Sequence, residues 1–187
     1  MENSIDWLWE TCRVIANENR LHLLQLILKD PLQCVKDLAA ESGRTPSATS
    51  IQLTRLCDEC LITAHRTGLK VHYSFGSEYT PPHSLPLQAA LKKSLSGGVP
   101  YPSIIRQATG CTHYRRIELI QRIATAPSSV EELVQTSHMS SSSVARHIQK
   151  LIARGYVVFT DGRYHTSKPA DHLALALSKV IIQASKY

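Results

Sequence analysis

The chain has little of several residue types that mark whole classes of protein. Aromatic residues are only 6% of its 187 residues, and nine prolines and eight glycines are too few for a collagen-like or disordered chain. Its longest apolar runs, such as residues 173–177, are far shorter than the roughly 20 residues that span a bilayer. The acidic segment 1–6 lacks the basic and apolar regions of a signal peptide. We therefore expect neither a membrane protein nor a secreted or fibrous one.

Cysteine content and charge narrow the remaining classes. Five cysteines without regular spacing are typical of reduced thiols, so we expect a cytoplasmic protein. Residues 1–95 carry ten basic and ten acidic side chains, whereas residues 96–187 carry eleven basic and five acidic ones. The whole net charge of +6 thus lies in the second half. It favours an anionic partner such as nucleic acid, although a solvated basic surface would fit equally well on charge alone.

An internal repeat divides the chain into two copies of roughly 80–90 residues. At an offset of 95 residues, segment 35–39 aligns with 130–134, and upstream the offset becomes 96. Equivalent pairs include Arg20 and Arg116, Leu56 and Leu151, and Tyr73 and Tyr164. We expect domains at residues 1–80 and 103–187, joined by a proline-bounded connector at 81–102 that contains a short helix.

Each copy has the pattern of three helices followed by two strands. Thr45-Pro46 and Ser140 are start signals for the third helix of each copy, and Ser128 to Glu131 forms a capping-box pattern. A two-residue turn at Asp161-Gly162 predicts a tight hairpin, and Thr67-Gly68 predicts a turn in the first copy. The order predicts a mainly α fold of two tandem winged helix-turn-helix domains with small β-hairpin wings.

A family resemblance follows from these two cores. Residues 19–73, which begin with Asn19-Arg20-Leu21, resemble the arsenic-repressor (ArsR) family of bacterial transcription regulators, and Ser142 to Ile148 resembles its recognition helix. The resemblance covers around 110 of the 187 residues. It implies a repressor that binds sequence-specific sites in double-stranded DNA and pairs through helices flanking the winged core. Most members carry one such unit per chain, whereas this chain carries two.

The second copy supplies the stronger candidates for reading DNA. A recognition helix needs an apolar packing face and an opposite face of short hydrogen-bonding side chains and cations. With Val144, Ile148 and Leu151 turned inward, the predicted outward set is Ser142, Ser143, Arg146, His147 and Lys150. Arg146 is the candidate for bidentate pairing with guanine. Arg163 on the wing is expected to reach the backbone or the minor groove.

The first copy has a weaker set. Its predicted contacts are Ser47, Ser50, Gln52, Thr54 and Arg55 on the helix, with Arg66 and Lys70 on the wing. Gln52 is the candidate for adenine, whereas Asp58 and Glu59 oppose phosphate. The alternative is that this copy only packs or dimerises.

The sequence gives less support to a metal site, a redox switch or an enzyme. In metal-sensing relatives two cysteines sit at the start of the short helix, but here Lys36 stands where the second thiolate would follow Cys34. We therefore expect no metal site and no cofactor. Cys57 and Cys60 fit buried structural thiols better than a redox switch, which stays an alternative. No nucleophilic triad, phosphate loop or carboxylate pair is present, so we expect no enzyme.

Two questions about partners stay open. Winged helices also serve as protein-interaction or assembly modules, which would not show salt-sensitive binding to duplex DNA. Helices at 6–16 and 170–185 resemble the pairing helices of single-unit relatives, and the second has Leu173, Leu177, Val180 and Ile181 in helical register. A stripe of that length needs cover, so we expect a homodimer through terminal helices; the alternative is a pseudo-dimer within one chain.

Overall fold

The computed structural model describes residues 6–31, 33–76, 80–169 and 171–184, with only the backbone of His83 and Ala184. These residues form ten α-helices, one short 3-10 helix and two antiparallel hairpins. They divide into two compact units. Residues 14–105 form what we call the N-terminal unit, and residues 6–13 with 106–184 form the C-terminal unit. These unit boundaries lie at 13/14 and 105/106, whereas the sequence suggested 80/81 and 102/103.

The N-terminal unit has three helices before its hairpin and one after it. Helix α1, which opens the described chain, continues across the boundary between the units. The elements are α2 (Glu18–Lys29), α3 (Val35–Glu41), α4 (Pro46–Asp58), β1 (Ile62–Thr67), β2 (Lys70–Phe75) and α5 (Leu85–Ser96), and helix α1 (Asp6–Ile15) adds only its last two residues.

The C-terminal unit repeats this order of elements. Helix α6 also continues across the boundary between the units. The elements are α6 (Tyr101–Ala108), α7 (Tyr114–Thr125), α8 (Val130–Ser137), α9 (Ser141–Ala153), β3 (Val157–Thr160), β4 (Arg163–Thr166) and α10 (His172–Ala184). Among the described residues, no helix is long and apolar enough to cross a membrane.

Side-chain hydrogen bonds cap α4 and α9 at the start positions that the sequence predicted. The Thr45 hydroxyl accepts the Ala48 N–H at 3.3 Å at the start of α4, and Ser140 accepts the Ser143 N–H at 3.3 Å at the start of α9. The predicted capping box lies one residue later than expected, because Ser129 and not Ser128 is the N-cap of α8. Ser128 is unavailable because its backbone pairs with Tyr164 of β4.

The two wings are hairpins with two-residue turns. The predicted Asp161-Gly162 turn is confirmed, with φ of +53° and +76° and Thr160 paired with Arg163. In the first wing the turn lies at Gly68-Leu69, one residue later than predicted, because Thr67 still pairs with Lys70. The strands of this wing are also longer, six residues each against four in the second.

Each unit closes its core with the helix that follows its wing. In the C-terminal unit α10 packs on α7, and the Gln121 side-chain amide donates to the Ile181 carbonyl at 3.2 Å. The apolar stripe of α10, namely Leu173, Leu177, Val180 and Ile181, is buried. The expectation that this stripe is uncovered is therefore wrong, since its own unit covers it. Each such side chain contributes about 1.5–3 kcal/mol by burial.

Helix α5 has the same place in the N-terminal unit. It packs on α2 and buries Leu87, Leu91 and Leu95. The Gln88 side chain donates to the Cys60 carbonyl at 2.8 Å and so joins α5 to the chain just beyond α4. The segment that the sequence presented as a connector helix is therefore a core element.

A buried arginine makes the same contact in both units. The Nε of Arg20 donates to the Val14 carbonyl, and the Nε of Arg116 donates to the Gly110 carbonyl at 2.9 Å, in each case six residues back. Arg116 also donates to the Thr109 carbonyl at 3.0 Å, so it satisfies carbonyls just beyond the end of α6. The equivalent arginines that the sequence aligned thus occupy equivalent sites.

Candidate nucleic-acid interface

Helix α9 presents a basic, hydrogen-bonding face to solvent. Val144, Ile148 and Leu151 are buried, as predicted, whereas Arg146 and Lys150 are exposed one turn apart. Neither cation forms an ion pair with any residue that the structure describes. Their charges are therefore available to an anionic ligand.

Polar neighbours extend this face. Ser142 is exposed at the start of α9, whereas Ser143 is half-buried and accepts a hydrogen bond from the Ser140 hydroxyl at 3.1 Å, so it serves the helix cap. Gln149 is exposed beside Arg146 and was missed in the sequence. Its spacing of three residues from Arg146 was the signal that would have found it. We call Ser142, Arg146, Gln149 and Lys150 the α9 face.

His147 does not belong to the α9 face, which corrects the sequence prediction. Its side chain is only 5% exposed, and its ring lies 4.9 Å from the ring of His113, the N-cap of α7. Burial, aided by His113 and nearby positive charges, lowers the pKa of His147 to about 4. The imidazole is therefore neutral at pH 7, and its Nδ1 has no hydrogen-bond partner among the described residues.

The wing of the C-terminal unit is less basic than the sequence indicated. Both guanidinium nitrogens of Arg163 pair with the Glu132 carboxylate, at 3.0 and 3.1 Å, and one also donates to the Pro127 carbonyl at 2.7 Å. Glu132 in turn accepts the Ser129 N–H at 2.8 Å and closes the start of α8. Arg163 thus pairs within its own unit through an exposed ion pair, and its contact with DNA stays a prediction.

Helix α4 presents a nearly neutral face. Ser47, Ser50, Thr54 and Arg55 are exposed, as predicted, but the Thr54 hydroxyl donates to the Ser50 carbonyl at 3.0 Å. An apolar side chain, Ile51, is 54% exposed between them. Arg55 is therefore the one cation on the exposed side of this helix within the described residues.

Gln52 is a second correction, and it has the same cause as His147. Its side chain is half-buried, and its carbonyl accepts a hydrogen bond from the Arg20 guanidinium at 2.9 Å. Gln52 and His147 are equivalent at the 95-residue offset. Gln52 contacts α2, the helix that contains Arg20. His147 contacts the start of α7, the helix that contains Arg116. Neither side chain is free to read a base.

The wing of the N-terminal unit is the more basic wing. Arg66 and Lys70 are both exposed and flank the turn, as predicted, and Leu69 at the tip is 98% exposed. The Arg66 Nε donates only to the Gly68 carbonyl of its own turn, at 3.3 Å. Neither cation forms an ion pair with a described residue.

The cysteines have local structural roles. Cys34 is the N-cap of α3, and its N–H donates to the Asp37 carboxylate at 3.0 Å. In the described part of the chain, no three His, Cys, Asp or Glu side chains gather as metal ligands would. Cys57 and Cys60 are half-buried, not fully buried as expected. Burial, with Asp58 and Cys60 nearby, raises the pKa of Cys57, which lowers its thiolate fraction.

Comparison with known proteins finds one match, in the C-terminal unit. Residues 115–161 match the IclR helix-turn-helix domain. The matched segment runs from α7 through β3 and contains the whole α9 face. This part of the chain is therefore a winged helix-turn-helix DNA-binding domain of the kind found in bacterial transcription regulators. No curated protein and no solved structure matches the chain.

Proposed function

We propose that this protein regulates transcription by reading a specific double-stranded DNA site with α9. The observation that carries the proposal is the α9 face, which places two unpaired cations and two polar side chains on the recognition helix of the matched domain. A helix of 13 residues is about 20 Å long, a suitable length for the major groove. Arg146 is the candidate for guanine, and Gln149 for adenine.

A tandem arrangement is part of the proposal. We assign a winged helix-turn-helix domain to each unit, because both have the same order of helices and strands and the same buried arginine contact. The matched segment lies in the second of them. In the first domain α4 has fewer cations, so its contribution comes chiefly from Arg66 and Lys70 on the wing, as backbone contacts.

The helices and wings of the two units therefore make different kinds of contact with DNA. The C-terminal unit supplies unpaired cations on its helix while its wing arginine pairs with Glu132. The N-terminal unit supplies them on its wing. Base readout is assigned to the first surface and sequence-independent affinity to the second, since phosphate contacts carry no direct sequence information.

Selection of binding sites from random duplex DNA, with the intact chain, tests this function. We expect a defined motif. Replacing Arg146 with alanine should relax preference at one base pair and cost about 1–3 kcal/mol. Lys179→Ala is the matched control, because it removes an exposed cation of the same unit outside the α9 face. If Arg146→Ala with Lys150→Ala leaves both affinity and sequence preference unchanged, the assignment of α9 is wrong.

A protein-interaction module is the second candidate, and an observation on the β3–β4 wing favours it. Phe159 is 55% exposed and Val158 is 43% exposed, so this wing offers apolar surface where a phosphate contact would need cations. An interaction module predicts that no motif emerges from selection and that binding to duplex DNA is weak and insensitive to sequence. Recovery of a DNA motif would favour the transcription regulator over the interaction module.

A repressor of the arsenic-repressor type that acts as a homodimer is the narrower form of the proposal. The sequence resemblance supports the repressor assignment, and a reporter gene carrying the selected site tests its sign. The apolar stripe of α10 does not support the homodimer, because it is buried within the chain. It therefore rests on the family resemblance alone.

A further inference from the structure

The start of α7 carries a group of stacked side chains that lies outside the α9 face. The Tyr114 ring lies 5.1 Å from the His113 ring at an interplanar angle of 20°, and the Arg115 guanidinium lies 4.8 Å from the same Tyr114 ring. Tyr114 is 47% exposed despite these contacts. An aromatic side chain is thus held in a fixed position with much of its surface in solvent.

This group lies beside the α9 face. His113 contacts both Tyr114 and, at 4.9 Å, the ring of His147, which follows Arg146 directly in α9. After burial and the flanking arginines, the positive charges of Arg146 and Lys150 also lower the pKa of His113. The start of α7 and the recognition helix are therefore neighbours in the C-terminal unit, with the His113 ring between Tyr114 and His147.

Arg115 is better suited to positioning than to binding. Its guanidinium donates to the Glu118 carboxylate at 3.1 Å and to the Ser137 carbonyl at 3.3 Å. These contacts fix the cation over the Tyr114 ring, where the cation–π interaction restricts the ring. Arg115 also interacts with the Tyr114 side chain, and because a guanidinium only donates, the hydrogen of the Tyr114 hydroxyl is left to meet a ligand.

The other copy of the repeat differs at this place. At the upstream offset of 96 residues, Tyr114 and Arg115 are equivalent to Glu18 and Asn19. Glu18 is exposed at the first position of α2. A carboxylate there repels phosphate, whereas a tyrosine hydroxyl donates to it. The exposed cations differ in the same direction, with two on α9 and one on α4.

We infer that the Tyr114 hydroxyl donates a hydrogen bond to a DNA backbone phosphate next to the bases that α9 reads. Tyrosine is among the side chains that make such contacts, and these contacts fix the register of a protein on the duplex without carrying sequence information. The inference rests on the proposed function and adds a backbone contact on α7. Glu18 closes the equivalent site in the N-terminal unit.

Binding titrations with the full chain test the contact on two duplexes, the site recovered by selection and one of unrelated sequence. Tyr114→Phe keeps the stacked ring and removes only the hydroxyl, so affinity should fall about fivefold on both duplexes. The salt dependence should not change, since a neutral donor releases no counterion. Tyr114→Glu, which installs the residue of the other copy, should weaken binding more than Tyr114→Phe.

Glu18→Gln is the matched control, since it changes the equivalent position and should cause no loss. A thermal unfolding midpoint of Tyr114→Phe equal to that of the wild type would show that the variant keeps its fold. Unchanged affinity on both duplexes overturns the inference while leaving the proposed function intact. A loss confined to the selected site overturns it too, because that pattern belongs to a base contact. Failure of the wild-type chain to bind any duplex refutes the proposed function itself.

Discussion

The buried imidazole of His147 should make the C-terminal unit sensitive to acid. Its pKa in the folded protein is about 4, below the ordinary value of 6.5. Between these values the unfolded chain binds a proton that the folded chain does not, so folding loses stability as pH falls from 6.5 towards 4. His113, whose pKa is also lowered, acts in the same direction. Above pH 6.5 the stabilisation is fully present.

The residue at the equivalent position suggests the variant. His147→Gln installs the side chain that Gln52 contributes in the other unit and removes the titrating group. From the two pKa values, wild type should lose about 2 kcal/mol more than the variant between pH 7 and pH 4.5. His172→Gln, at an exposed position of the same unit, is the control and should follow wild type.

Urea unfolding followed by tryptophan fluorescence measures this difference in the relevant unit. Both tryptophans of the chain, Trp7 and Trp9, lie in the segment 6–13 that belongs to the C-terminal unit. Fluorescence therefore reports the unit that contains His147. Parallel loss of stability in wild type and His147→Gln over this pH range would refute the reasoning, because burial would then not be what keeps the imidazole neutral.

Two further predictions concern ligands and assembly. Zinc, cadmium or arsenite should leave DNA affinity unchanged, because Cys34 caps α3 and Lys36 stands in place of a second thiolate; a metal response that disappears in Cys34→Ser would contradict this. For the homodimer, light scattering at micromolar concentration should give twice the 20.8 kDa mass of one chain. The mass of a single chain, with or without DNA, would refute the homodimer.

Local signals explain what the sequence predicted well. Thr45-Pro46, Ser140 and Asp161-Gly162 each act through contacts within a few residues, so the helix starts and the second turn follow from short stretches of chain. The apolar spacing of α9 likewise identified its buried side and, with it, Arg146 and Lys150. Periodicity identified these positions, but it also placed His147 outward, at the margin of the same buried face.

Contacts between distant residues explain what it missed. Arg163 looked like a free cation because its partner, Glu132, lies 31 residues away on another element. Gln52 looked like a base reader because Arg20 lies 32 residues away. When a polar side chain lies at the margin of a helix's buried face, its hydrogen-bond partner decides whether it points inward or outward. Periodicity does not identify a partner in another helix.

The two units show how a repeated skeleton can carry different surfaces. The buried arginines, the helix caps and the helices after the wings are shared, since each satisfies backbone groups or buries apolar area that both copies must bury. Exposed positions are under no such constraint, and there the copies diverge: Glu18 faces solvent where the other copy has Tyr114, and Ile51 where it has Arg146. Two exposed cations lie on the helix of one copy, and two lie on the wing of the other. Because base readout is assigned to α9 and only backbone contacts to the N-terminal unit, one chain should specify a single half-site, and the proposed homodimer should read that half-site twice as a palindrome.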